Sequence, residues 1–464
     1  MTTRRRTLLA CAGPQVFRRR SVASPYPSLP PSLVGSPHRK RREVDHMRAK
    51  VLVMACAALL LSACGGSVAG GSDGGGEAAS GEPLRIGVLT GVTGAYVQLG
   101  EEQRNGAELA VELLGGMAGE RPIELSVRDT QLKPDVALRE AQSLVQEERV
   151  HFLTGCVSAA TTLAINQVAK QAGVPYLGAC QTEQLNRPPN FDPAVTYHLA
   201  PTPSQAIKAA SPFLCEQLGK RVFLLLPDYA FGHEQEAAYA DAIPAQPGCG
   251  VAGTAFFPLG TTDFNPFIPT IEGSGADVLV FGGVGRDQVS FLRQAAQFGL
   301  TERIRTFLTL EDLTFDEELG FDLIDGTYAM AAFYWNVDDP GVQEYVEAYR
   351  SEFGRPPGGY GVYLYNAVHI IAEQVAAGNE APEAFRGALE GLEVSLGQGD
   401  MTIRECDHQA LAPVYILEGL GADEAESRGG DPTFGLRAVA ETVPGTEEFA
   451  PTCDEVSVEF KRSS

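Results

Sequence analysis

From Leu84 onward, short apolar runs alternate with longer amphipathic ones. Leu84-Arg85-Ile86-Gly87-Val88-Leu89 reads as a strand, and a helical pattern follows through Ala107, Leu109, Ala110, Val111, Leu113 and Leu114. Residues 123–127 alternate as a strand does. The spacing then predicts helices over 134–148, 159–171, 205–218, 232–243, 341–353 and 360–377, with one more ending at Phe298. Strands are predicted over 151–154, 174–178, 221–227 (RVFLLLP), 276–282 (ADVLVFG), 305–310 and 326–333. Strands that are apolar at nearly every position are buried on both faces. Their alternation with helices predicts parallel sheets covered on both sides. The strands are too many for one open sheet of ordinary size, so the pattern predicts two lobes. No tandem repeat of 20–50 residues interrupts it.

The segment before Leu84 follows another logic. Arg48 and Lys50 precede an unbroken apolar run over Val51 to Leu61, too short for the roughly 20 residues a membrane span needs. Leu61-Ser62-Ala63-Cys64 has the small-residue pattern of a secretory cleavage site. It resembles a bacterial lipobox, in which the Cys64 sulfur is acylated before cleavage. The plainer alternative is an ordinary signal peptide with an incidental cysteine. Gly65 to Glu82 is a Gly/Ser-rich tether with a typical reach of roughly 25 Å. Residues 1–46 are rich in Arg, Pro and Ser and precede a complete signal peptide, so translation is expected to begin at Met47. The expected organisation is a signal peptide over 47–63, then an acylated Cys64 with a flexible linker to residue 83. The folded part is expected outside the cytoplasmic membrane, in the periplasm or at the outer cell surface, and held to the membrane only through Cys64.

Beyond Ala63 the chain keeps 24 of its 36 Lys and Arg and 57 of its 59 Asp and Glu, a net charge of −33. Such a surface repels nucleic acid and anionic lipid, which are set aside as partners. Six cysteines remain beyond Cys64, an even count that favours disulfides in an exported protein. Because each pair flanks neighbouring elements, the expected bonds are Cys156–Cys180, Cys215–Cys249 and Cys406–Cys453. The alternative is that some are free buried thiols.

In parallel α/β sheets, ligands bind beyond the carboxyl ends of the strands. After residues 151–154 comes Gly155-Cys156-Val157-Ser158. A hydroxyl and free backbone N–H groups at a helix start suit a carboxylate, although Ser158 could equally cap its own helix. The other strand ends carry Ala179-Cys180-Gln181, Asp228-Tyr229-Ala230-Phe231-Gly232, Gly283-Val284-Gly285 and Glu311-Asp312. From Leu84 onward the chain has no G-x-S-x-G elbow, no H-E-x-x-H and no P-loop. Its histidines are scattered, with no two at metal-ligand spacing. Gln288 replaces the third glycine that a dinucleotide fingerprint would need after Gly283 and Gly285. No catalytic residue, metal site or cofactor is therefore expected.

These strand ends, in this order, resemble the type I solute-binding proteins of bacterial ABC importers, in the branch that binds leucine, isoleucine and valine. The resemblance runs from about Leu84 to about Leu420. It is carried by RIGVLTGVTGAYVQLGEEQRNGAELA, GVPYLGAC, LPDYAFG, ADVLVFGG with FLRQAAQFGL, PPGGYGVYLYNAVHIIAEQ and MTIRECDHQALAPVYILE. It implies two lobes, each a three-layer α/β sandwich on a parallel sheet, joined by three crossing segments near Thr202, Phe333 and Gly399. The first lobe would hold 84–202 and 334–398, and the second 203–333 and 399–464. It also implies an interlobe cleft that closes on a solute, an ABC permease as partner, and no enzymatic activity. By the same resemblance Ser158 and the backbone at Ala179, Cys180 and Gln181 would hold an α-carboxylate. Glu311 would pair with an α-ammonium, and Tyr229 and Phe231 would lie against the ligand. Phe231 stands where the family often has Tyr, Val284 where the leucine binders carry another Tyr, and Leu99 where some relatives have Trp, which enlarges the pocket and removes hydrogen bonds. A branched-chain or other apolar amino acid is the first expectation. Urea, short amides or aromatic carboxylates are the second, and a ligand sensor docking onto a receptor is the third.

Overall fold

A computed structural model describes residues 81–464, apart from residues 95, 429, 430, 432 and 464. The expected signal peptide, Cys64 and most of the linker lie outside the described residues. Two large sheets organise the chain. The first runs, edge to edge, Met117–Ala118, Arg121–Asp129, Leu84–Thr90, Phe152–Gly155, Tyr176–Gly178 and Thr196–His198. All its pairings are parallel except the short hairpin at the Met117 edge. The second runs Arg437–Val443, Val414–Gly419, Tyr328–Ala331, Arg305–Leu308, Val278–Phe281, Arg221–Pro227 and Gly250–Phe257. Here the two strands nearest the carboxyl terminus pair antiparallel, and the rest are parallel. Both lobes are α/β with parallel-dominated sheets.

The double burial expected of such strands is visible residue by residue. In Leu84–Thr90, Ile86 and Val88 join the cluster containing Ala107, Val368 and Ile371, on helices Val97–Leu113 and Gly361–Ala376. Leu89 joins the opposite cluster with Ala141, Leu144 and Ile165, on helices Pro134–Gln146 and Ala159–Ala172. In Arg221–Pro227 the same alternation sends Phe223 and Leu225 to one face and Val222, Leu224 and Leu226 to the other. Side chains of period two on a strand covered twice explain why neither strand has a polar face.

The chain leaves the first sheet after His198 and starts helix Pro203–Phe213, capped by the Thr202 hydroxyl. It leaves the second sheet after Ala331 and returns through helix Pro340–Phe353. The third passage is not at Gly399. Gly399–Ile403 belongs to a small antiparallel sheet with Glu393–Leu396 and Ala410–Leu411. A bridge from Gln409 ties this sheet to His198 of the first lobe, so the chain passes to the second sheet only between Leu411 and Val414.

Two of the expected disulfides form. Cys215–Cys249 joins the start of the helical segment Leu214–Leu218 to the residue just before strand Gly250–Phe257. Cys406–Cys453 fastens the last helix, Cys453–Ser463, to the small sheet. The third expected bond is absent, and Cys156 and Cys180 are free buried thiols. The backbone of Cys156 is left-handed, with φ 102°, and its Sγ sits 2.7 Å from Thr161 Oγ1 and 2.8 Å from Ser158 O. The thiol is thus engaged with the turn ahead of helix Ala159–Ala172.

Candidate functional site

The carboxyl ends of both sheets face one cleft of about 210 Å³. Tyr96, Leu99, Leu132, Val157, Ser158, Cys180, Gln181 and Tyr360 line it from the first lobe. Tyr229, Phe231, Leu259, Val284 and Leu310 line it from the second. Leu99, Val157, Phe231, Val284, Leu310, Phe315 and Tyr360 also form one continuous apolar cluster, so the two walls are in contact. Among the described residues no Asp, Glu, Lys or Arg lines this cleft. Its character is apolar and aromatic with a few polar points, the usual make-up of a small-molecule site.

Ser158 is the residue that starts helix Ala159–Ala172, and its side chain makes no capping hydrogen bond. The hydroxyl is therefore not spent on its own helix. Ser158, Ala159 and Ala160 all reach the cleft, presenting a hydroxyl and the first turn of a 14-residue helix. The first N–H groups of a helix lack internal partners and carry partial positive charge, which favours a carboxylate there.

The aromatic wall is built by short-range geometry. Tyr229 precedes helix Ala230–Ala245, and its ring lies 6.2 Å from that of Phe231. Burial raises the phenol pKa of both Tyr96 and Tyr229, and the buried Tyr96 hydroxyl has no hydrogen-bond partner. Leu99 is held at the cleft by the close seating of its helix, because a Cβ on Gly100 would lie 2.1 Å from the carbonyl oxygen of Gly91. Tyr360 is positioned from below. Buried Glu102 accepts the backbone N–H groups of Gly358 at 3.1 Å and Tyr360 at 3.4 Å. From the other lobe, Asp312 Oδ2 accepts the N–H of Gly359 at 2.8 Å. One glycine-rich turn is thus gripped by a carboxyl from each lobe. Arg355–Glu317 at 2.9 Å and Glu234 with Thr182 and the N–H of Glu183 add further links across the cleft.

Seven of the residues singled out in the sequence meet here: Leu99, Ser158, Cys180, Gln181, Tyr229, Phe231 and Val284. Ala179 lies just beneath, fully buried and hydrogen-bonded through its N–H to Gly155 O. Glu311 does not line the cleft. It lies in a smaller adjoining cavity of about 20 Å³ that shares Gln181, Leu310 and Tyr360 with the cleft and reaches Pro201, Phe333 and Val414 at the crossings. Glu311 is 5% exposed, and its Oε1 has no hydrogen-bond partner. Burial, then the neighbouring Asp316 carboxylate, pushes its carboxyl well above the usual range, and Arg437 pulls the other way. Behind it, Arg437 and Asp316 form a buried bidentate pair at 2.5 and 2.9 Å. Tyr96, Leu132, Leu310 and Tyr360 reach the site without having been singled out. Of these, only Tyr360 carried a sequence signal, the Gly358-Gly359 turn before an apolar helix.

The profile of a family described as "Periplasmic binding protein" matches residues 83–424. Leu/Ile/Val-binding protein homolog 7 of Brucella abortus (strain 2308) is 25% identical over 338 residues, covering 68% of this chain and 83% of that protein. The crystal structure of an amino acid ABC transporter substrate-binding protein from Pseudomonas fluorescens Pf-5 superposes with a TM-score of 0.74 at 25% identity. It covers 80% of this chain and 99% of that one. An ABC transporter substrate-binding protein from Sphaerobacter thermophilus gives 0.72 at 26% identity, covering 78% and 98%. The agreement spans both lobes and the cleft between them. The chain belongs to the type I periplasmic binding proteins, the extracytoplasmic, non-enzymatic substrate-binding components of ABC importers.

Proposed function

We propose that this protein captures a small apolar carboxylate, first of all an apolar amino acid, and hands it to an ABC permease. The observation that carries the reading is Ser158. Its uncapped hydroxyl stands with a helix N-terminus in a largely apolar cleft that no charged side chain lines. The carboxylate would accept from Ser158 and the first N–H groups of the helix, while Tyr229, Phe231, Val284 and Leu99 would enclose the apolar body. The relatives' names, which include leucine, isoleucine and valine binding, support an amino acid. So does the unpartnered Oε1 of Glu311, one wall away from the cleft, because an ammonium would supply the missing donor. Lobe closure would assemble the two walls around the solute and expose a closed face to the permease. Calorimetry with leucine, phenylalanine and leucinamide tests this. Binding of the acids but not the amide supports the carboxylate reading, and equal binding of leucinamide contradicts it.

A second ligand class is favoured by the placement of Glu311. With no charged side chain on the cleft wall, an amine-free acid such as benzoate would leave no charge unanswered. Leucine and benzoate therefore belong in the same titration.

The lipid anchor at Cys64 belongs to the same proposal. Mass spectrometry of the mature N-terminus tests it: a diacylated Cys64 is expected, and an unmodified N-terminus elsewhere contradicts it.

A further inference from the structure

Two thiols, Cys180 on the cleft wall and Cys156 buried behind it, have no part in the binding scheme above. Cys156 and Cys180 follow the adjacent parallel strands Phe152–Gly155 and Tyr176–Gly178, whose ends pair Gly155 with Gly178. The N–H of Ala179 bonds to Gly155 O at 3.3 Å, which brings the residues after each strand side by side. Both cysteines belong to one buried cluster, and each thiol shifts the ionisation of the other. They are not equivalent. Cys180 is among the residues that line the cleft, and Cys156 is not, so a small molecule in the cleft stands nearer to Cys180. Cys156 is fully buried, with its Sγ against Thr161 Oγ1 and the carbonyl of Ser158. The same chain carries two formed disulfides, so its other cysteines do meet an oxidising environment.

We propose that Cys156 and Cys180 form a dithiol modification site in the solute cleft, which a low-molecular-mass disulfide closes reversibly to a Cys156–Cys180 bond. The oxidant's sulfur is first carried on Cys180, releasing one small thiol. Cys156 then attacks the Cys180 sulfur and expels the second. Two S–H bonds and the oxidant's S–S bond are broken, one protein S–S bond and two small thiols are formed, and the two electrons and two protons pass to the oxidant. Access from the cleft sets Cys180 as the first sulfur to react, and ionisation sets Cys156 as the second. Burial raises the Cys156 thiol, but hydrogen bonds from Cys180 and Thr161 more than offset it and leave the thiol below its ordinary pKa. Cys180 is pushed well above its own by the neighbouring Cys156 thiol and by burial. A thiol more readily ionised is the better second nucleophile.

Closure has a structural consequence. The Cys156 sulfur must leave Thr161 and Ser158 O, and both contacts hold the turn that presents Ser158 to the cleft. Weakened solute binding would follow, and that step rests on the function proposed above. The test does not. The purified chain is treated with oxidised glutathione and then with dithiothreitol, without solute, and followed by intact mass, disulfide peptide mapping and amide hydrogen exchange. Loss of both free thiols is expected, with a mass drop of about 2 Da and a mapped Cys156–Cys180 bond. Exchange over residues 157–162 is expected to quicken roughly threefold or more, and all of it to reverse on reduction. In Cys156→Ser, Cys180 should stop at the mixed disulfide and retain one glutathione. A glutathione stably held on Cys180 in the unmutated chain would overturn the proposal. So would unreactive thiols, a bond present from isolation that resists reduction in the folded protein, or a bond that leaves exchange over 157–162 unchanged.

Discussion

Glu102 and Gly358 are fitted to each other: the carboxyl accepts the glycine N–H at 3.1 Å, and a Cβ on that glycine would lie 2.2 Å from the same oxygen. Through this contact a helix of the first lobe fixes the turn that carries Tyr360 to the cleft. Glu102→Ala would leave the N–H groups of Gly358 and Tyr360 without their acceptor, a loss of about 1–3 kcal/mol. Glu102→Gln keeps one acceptor oxygen for the 3.1 Å bond from Gly358 and gives up only the weaker 3.4 Å one from Tyr360, and burial already raises the Glu102 pKa well above normal, so the neutral amide imitates the protonated carboxyl. Urea denaturation should show Ala clearly destabilised and Gln close to the unmutated protein. Equal loss in both would mean that charge, not acceptance, is what the turn needs.

Arg437 and Asp316 form the other buried anchor, both with side chains essentially inaccessible to water. Removing one partner of such a pair strands the other, typically at about 3–5 kcal/mol. Arg437→Met should therefore lower the denaturation midpoint sharply, while the double variant with Asp316→Leu should recover part of the loss. A double variant as weak as the single one would show that packing around Arg437, not its charge, holds the tail strand.

Glu311 offers a test with a defined sign. Its folded pKa is raised by burial and Asp316, so the folded state holds a proton that the unfolded state releases in the ordinary carboxyl range. The stabilisation is complete below that range and is lost as pH rises through the folded value. Glu311→Gln should flatten this fall, and thermal melts at pH 5 and pH 8 should differ less than in the unmutated protein. The same variant should weaken leucine if an ammonium reaches Oε1, and should leave an amine-free acid untouched.

His369 shifts the opposite way. Burial on helix Gly361–Ala376 brings it down to about 4, and its Nε2 has no partner. Stability from this group is present above the unfolded value of about 6.5 and is lost as pH falls from there towards 4. His369→Phe should be less acid-sensitive than the unmutated protein between pH 6.5 and 4.5 in urea titrations. Parallel curves would contradict the assignment.

The strands most readable in the sequence were those buried on both faces, such as 221–227 and 278–281, because their apolar runs leave no polar face. Gly250–Phe257 escaped because it is an edge strand with Val251 and Thr254 exposed, and Gly253 makes room for Phe223. Arg437–Val443 escaped for a similar reason: Arg437 reads as a surface charge until Asp316, 121 residues earlier, is placed beside it. Most of the cleft was legible because strand ends in parallel sheets converge. What was not legible was depth. Glu311 and Leu310 are neighbours in sequence, yet only Leu310 lines the cleft. For Cys156 and Cys180 adjacency was readable, but their free state, with the Cys156 sulfur engaged by Thr161 and Ser158 O, was not.

The central claim is that Ser158 and its helix receive a carboxylate, and Ser158→Ala tests it most directly. Because the hydroxyl makes no capping bond, the variant should fold with unchanged stability. Isothermal titration of both proteins with leucine, phenylalanine, benzoate, leucinamide and urea should find an acid that binds the unmutated protein and loses roughly tenfold, about 1.4 kcal/mol, in the variant. An acid bound equally well by both, or an amide bound as tightly as its acid, would contradict the claim.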